Sequence, residues 1–100
     1  MDTTFDIKHC EKSDIDQVDF NNIAFGKVFS DHVFIMDYAD GEWKKGSIEP
    51  FGPMSMSPAS MVLHYGQAIF EGMKAYRQQD GSVSLFRPGN NISRFNLSAK

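Results

Sequence analysis

All three arginines of the 100-residue chain, Arg77, Arg87 and Arg94, fall in its last quarter. A guanidinium binds anionic oxygens as a rigid fork. Arg94 lies one turn into a helix predicted to open at Pro88-Gly89-Asn90-Asn91, and Arg87 stands just before that opening. Free N–H groups and the positive end of the helix dipole gather at such a start. That is a recipe for a phosphate site, yet any helix can carry an arginine in its first turn. Phe25, Phe29, Tyr65 and Phe70 form a second candidate group. Aromatics at such positions fill a core or line a pocket for an apolar side chain, and composition does not separate the two.

Other chemistries find less support. His9, His32 and His64 are widely spaced, and neither HxxxH nor CxxC occurs. These histidines read as hydrogen-bonded core or capping groups, and no metal is expected. Cys10 reads as a silent thiol. No nucleophile elbow, P-loop or GxGxxG is present, which leaves no positive case for a hydrolase, a P-loop site or a Rossmann site.

The elements that must position these residues follow from local pattern. Residues 1–22 are polar and acidic, without a sustained period, and read as a leader, partly disordered or draped over a neighbour. Residues 23–100 form the compact part. Val33-Phe34-Ile35-Met36 reads as a strand buried on both faces. Asp40-Gly41 predicts a hairpin turn back into Glu42–Lys45. Pro50 and Pro53 confine the pieces around Ile48–Phe51 and Met54–Met56 to an edge or a crossing. Ser57-Pro58 predicts a helix start, the helix running from Ala59 to Glu71 and ending on Gly72 as a left-handed cap. A hairpin pairs Met73–Arg77 with Ser82–Arg87 across Gln78-Gln79-Asp80-Gly81. The final helix takes its cap from the asparagines after Pro88 and reaches Lys100 without a stop signal, so the chain is expected to be the N-terminal part of something longer.

Composition is that of an ordinary globular domain. Residues 1–50 carry five lysines against eleven acids, and residues 51–100 five bases against two acids. The overall charge of −3 argues against a nucleic-acid stripe. No apolar run approaches a membrane span, and the acidic N-terminus is no secretory signal. A single cysteine cannot close an internal disulfide, so a cytoplasmic setting is expected.

Three blocks at this order and spacing resemble the start of the branched-chain-amino-acid aminotransferases, pyridoxal-phosphate enzymes of fold type IV. They are Phe25-Gly26-Lys27-Val28-Phe29-Ser30-Asp31-His32; Pro58-Ala59-Ser60 with Leu63-His64-Tyr65-Gly66-Gln67-Ala68-Ile69-Phe70-Glu71-Gly72-Met73-Lys74-Ala75-Tyr76; and Leu85-Phe86-Arg87-Pro88. The resemblance runs from about Phe25 to Lys100 and leaves residues 1–22 uncovered.

It implies an α+β fold: a small N-terminal domain with an antiparallel sheet and two helices, truncated, the large cofactor-binding domain absent. It implies a homodimer of amino-acid biosynthesis, moving an amino group between leucine, isoleucine or valine and 2-oxoglutarate through pyridoxal 5'-phosphate. Arg94 matches the family arginine that binds the cofactor phosphate, whereas Arg87 belongs to the motif without that role. Phe25, Tyr65 and Phe70 match the apolar substrate pocket, with Tyr65 lent across the dimer interface. The family's Schiff-base lysine lies beyond the equivalent of residue 100, and none of the seven lysines here matches it. This chain by itself is therefore expected to hold no catalytic residue and no activity. Two alternatives remain: a sister enzyme, either a D-amino-acid aminotransferase or an aminodeoxychorismate lyase, and a standalone non-catalytic interaction domain.

Overall fold

In the computed structural model, which describes residues 4–100, the chain divides into two units, Met1–Met54 and Ser55–Lys100. This division nearly coincides with the charge boundary, so the first unit is acidic and the second basic.

The first unit is organised by β2 (His32–Ile35) and β5 (Ser47–Pro50), which pair antiparallel with Phe34 opposite Ile48. β1 (Asp6–Ile7) joins the other edge of β5 in parallel register, giving the order β1-β5-β2. Between β2 and β5, β3 (Tyr38–Ala39) and β4 (Glu42–Trp43) form a separate hairpin. Its turn residues Asp40 and Gly41 have φ of 55° and 80°, the left-handed pair that a tight hairpin needs. Trp43 packs edge-on against Tyr38.

The leader expected over 1–22 has defined structure from residue 4 onward; Met1, Asp2 and Thr3 lie outside the described residues. Besides β1, it carries a 3-10 turn over Ile15–Gln17. Asp31 clasps it, accepting Ser13 Oγ–H at 2.5 Å and the Asp14 N–H at 3.0 Å. The Cys10 N–H donates to His32 Nε2 at 3.0 Å. A two-residue strand leaves no readable period, and its partners are some forty residues away, so the local pattern did not announce it.

The second unit opens with a turn in which Ser57 Oγ accepts the Ala59 N–H. Helix α1 follows as Met61–Tyr65 only. Gly66, at φ 61° and ψ 26°, caps it in the left-handed region, so the helix expected to reach Glu71 stops six residues earlier. Residues 67–74 then run without regular structure. β6 (Ala75–Arg77) and β7 (Val83–Leu85) form the expected hairpin, its turn fastened by Asp80 Oδ1 to the Ser82 N–H. Helix α2 spans Pro88–Ser98, with Pro88 in its first turn and Arg87 at the cap in a left-handed conformation. The cap expected from the asparagines is thus displaced one turn earlier, onto Arg87-Pro88.

The architecture is α+β in kind, with small sheets and two helices, but it differs from one antiparallel sheet. Among the described residues three separate sheets are present, and one contains a parallel pair. Nor is β2 buried on both faces, since Phe34 is half exposed. Among the described residues only Gly46 is buried, and no apolar side chain is. The accessible surface is 9422 Å². A compact protein of 11.3 kDa would expose about 5,700 Å², and two separate compact halves about 6,900 Å². Each unit is therefore a surface without an interior of its own.

Candidate functional site

Glu71, Asn91 and Arg94 meet in the second unit. The non-helical segment after Gly66 carries Glu71, and α2 carries Asn91 and Arg94 three residues apart on one face. Arg94 Nε donates to Glu71 Oε2 at 2.8 Å and to Oε1 at 3.1 Å, and Arg94 Nη2 donates to Oε1 as well. Asn91 Nδ2 donates to Glu71 Oε1 at 3.1 Å and to the Gly72 carbonyl at 2.7 Å. The Glu71 side chain is 10% exposed against 68% for Arg94. The carboxylate is the fixed member of the pair, and the arginine's outer edge is open.

Electrostatics follow the geometry. The Arg94 hydrogen bond, helped by Asn91, holds the Glu71 carboxyl below the usual glutamate range, against the opposing effect of partial burial. The same pairing raises the Arg94 guanidinium further. Both groups are ionised at neutral pH. Two hollows share Arg94. One, of about 320 Å³, is lined by Phe86, Arg87, Asn90, Asn91 and Arg94. The other, of about 630 Å³, has Phe70, Glu71, Arg94 and Ser98 among its walls.

Arg94 sits six residues after Pro88 rather than one turn into the helix, about 9 Å along the axis from its first residue. The first hollow nevertheless brings Arg94 together with Arg87 and Asn90 at the helix opening. Phe70 lies on the second hollow and so shares a wall with Arg94. Tyr65, the last residue of α1, is 76% exposed, and Phe25, in the first unit, is fully exposed. Neither lines a hollow of its own unit described here. A further apolar hollow of about 430 Å³ in the first unit has Ile15, Phe20 and Phe29 on its walls, so of the candidate aromatics it takes Phe29 and not Phe25.

Glu71 and Asn91 were not singled out by pattern. A signal was available: residues 51–100 contain only two acids, Glu71 and Asp80, and Asp80 belongs to a turn. Glu71 was the one acid left to meet an arginine. Of the lysines, Lys44 pairs with Glu42 at 2.8 Å, Lys45 with Asp6 at 3.1 Å, and Lys74 lies over the Tyr76 ring. Among the described residues no group of three or more His, Cys, Asp or Glu is placed to hold a metal, and no helix is long and apolar enough to cross a membrane.

A phosphate fits this donor set. The chemistry is two guanidinium forks and the Asn90 carboxamide around one hollow, with hydrogens on the outer edge of Arg94 not taken by Glu71, while Asn91 spends both amide hydrogens on Glu71 and Gly72.

No family model matches the chain. It is 54% identical over 81 residues to branched-chain-amino-acid aminotransferase 2 of Bacillus subtilis, which is 80% of this chain and 22% of that protein. It is 49% identical over 83 residues to branched-chain-amino-acid transaminase 1 of the same organism, 82% of this chain and 23% of that protein. A probable branched-chain-amino-acid aminotransferase of Streptomyces coelicolor is 49% identical over 80 residues, 79% of this chain and 22% of its own length. The chain thus spans between a fifth and a quarter of the length of the curated relatives it matches.

Proposed function

We propose that this chain, a homologue of branched-chain-amino-acid aminotransferases over four fifths of its length, is the N-terminal, phosphate-holding segment of such an enzyme. The observation that carries the reading is the 54% identity over 81 residues. It favours the branched-chain reading over a D-amino-acid aminotransferase, an aminodeoxychorismate lyase or a binding module without chemistry. The complete protein would be a cytoplasmic homodimer of fold type IV serving amino-acid biosynthesis, with residues 23–100 in its small domain.

Arg94 would hold the phosphate of pyridoxal 5'-phosphate, with Arg87 and Asn90 around it. When bound, that group supplies an electron sink for the carbon that exchanges its amino group. The chain's own residues bind and orient. Phe25, Tyr65 and Phe70 would offer apolar surface to the branched side chain. Their exposure suits residues awaiting cover from the remaining length of the protein or from a second copy. No lysine here occupies a setting suited to holding the cofactor covalently, so chemistry would belong to residues outside this segment.

Expression from the complete gene supplies the test. Leucine, isoleucine and valine should each pass their amino group to 2-oxoglutarate, forming glutamate, while D-alanine should not. Preference for D-alanine, or a cofactor-loaded protein inert toward all four, would overturn the reading. Phe25→Ala should depress leucine turnover while shifting stability by no more than about 0.5 kcal/mol, because the side chain is exposed.

A further inference from the structure

We propose that Glu71 is a positioning residue: its carboxylate fixes the inner edge of the Arg94 guanidinium and so aims the outer edge at a phosphate. The inference rests on the proposed role of Arg94 and deepens it.

Three observations converge. First, the contact is side-on. Nε and Nη2 meet the two carboxylate oxygens, which leaves both Nη1 hydrogens and the outer Nη2 hydrogen for a second anion. A guanidinium can serve two anions along different edges, which an ammonium cannot do with the same geometry. Second, the burial is asymmetric. Glu71 is nine-tenths covered and Arg94 two-thirds exposed, so the acid anchors and the base projects. Third, Asn91 binds both Glu71 Oε1 and the Gly72 carbonyl, tying the carboxylate to the same helix that carries Arg94. Together these fix an arginine that would otherwise be free to sample many rotamers beside an open hollow.

The arrangement opposes simple electrostatics, and that makes it decisive to test. A carboxylate beside an anion site repels the anion. If Glu71 only neutralised Arg94, its removal would tighten phosphate binding. If Glu71 orients the fork, its removal weakens phosphate binding although the net charge becomes more positive.

The experiment uses the protein expressed from its complete gene, with affinities for pyridoxal phosphate, pyridoxal and inorganic phosphate measured by equilibrium dialysis. Glu71→Ala and Glu71→Gln should each weaken both phosphate-bearing ligands by about tenfold, the scale of one lost charge-assisted hydrogen bond, and leave pyridoxal unchanged. Circular dichroism and melting without ligand check that each variant is folded. If Glu71→Ala does not fold, the near-isosteric Glu71→Gln carries the test. Arg94→Ala separates the two ideas. Should it weaken phosphate binding while the Glu71 variants leave it equal or tighter, the positioning role is overturned and the proposed function stands. Should Arg94→Ala leave phosphate binding unchanged, Arg94 is not the phosphate ligand and both fail.

Discussion

Replacing Arg94 by lysine keeps the charge and removes the fork, so it isolates what the geometry contributes. In the wild type, Nε and Nη2 engage Glu71, with Nε to Oε2 at 2.8 Å. The remaining hydrogens lie on a different edge. A lysine ammonium is a single point charge. Glu71 is held in place by Asn91 and is nearly covered, so it would capture that ammonium first. Little would then remain for an anion in the hollow shared with Arg87 and Asn90. Losing a hydrogen bond to a charged group changes an equilibrium constant by about 10- to 100-fold. Arg94→Lys should therefore lose about as much affinity for pyridoxal phosphate as Arg94→Ala, in that range, with pyridoxal affinity unaltered. Equilibrium dialysis of the complete protein, read at the cofactor's absorbance band, measures both. If Arg94→Lys stays within about threefold of the wild type while Arg94→Ala falls, charge alone suffices and the two-edge argument is wrong.

Two further outcomes test the framework. The Glu71 carboxyl is depressed from its ordinary value of 4.5, chiefly by Arg94, so the pair's contribution is complete above that value and is lost as pH falls through the lower folded value. Carboxyl carbon shifts followed by NMR should show Glu71 titrating below the ordinary glutamate range; titration within that range would dissolve the anchor. At Gly46, an added Cβ would meet Phe34 Cζ at 2.6 Å, so the ring must shift and its edge-on contact with Phe5, 5.5 Å between centroids, is disturbed. Losing that ring pair costs about 0.5–1.5 kcal/mol and the stiffer unfolded chain returns about 0.4–1 kcal/mol. Gly46→Ala should be neutral to mildly destabilising, and stabilising once Phe34→Ala removes the clash; exchange of the Asp6 amide, bonded to Gly46 at 3.1 Å, reports the sign.

What could be read in the sequence was what short-range rules govern. Asp40-Gly41 announced its hairpin because two left-handed residues in succession have few other uses. The hairpin around Asp80-Gly81 announced itself by its turn residues, of which Gly81 alone is left-handed, at φ 86°. Gly66 defeated the same rules: it stands inside an apolar run that continues to Phe70, and the run masked a left-handed cap. Helix α2 was legible in existence and not in its start, since Pro88 suits the first turn better than an asparagine one turn later suits the cap. The pairing of β1 with β5 was invisible because it depends on backbone partners far along the chain. At the site, Arg94 stood out by residue type. Glu71 needed a count of the acids available to it, and Asn91 needed the fold.

The absent interior and the open site are one physical fact. An apolar side chain lining a pocket is stable there only if something else supplies the opposite wall. Here Phe70 stands 89% exposed on the same hollow as Arg94, and among the described residues neither unit has a buried apolar side chain with which to repack it. The surface in excess of two compact halves, about 2,500 Å², is of the size that large, obligate interfaces bury. Under the proposed function, cover supplied by the rest of the protein or by a second copy would do two things at once. It would give the units their missing core, and it would lower the dielectric around Arg94, where a fork aimed at phosphate is stronger than in water. Folding and cofactor binding would then be linked by mass action, the ligand stabilising the covered state over the open one. The segment's weakness as an isolated fold is, on this reasoning, what leaves its binding face open to be completed.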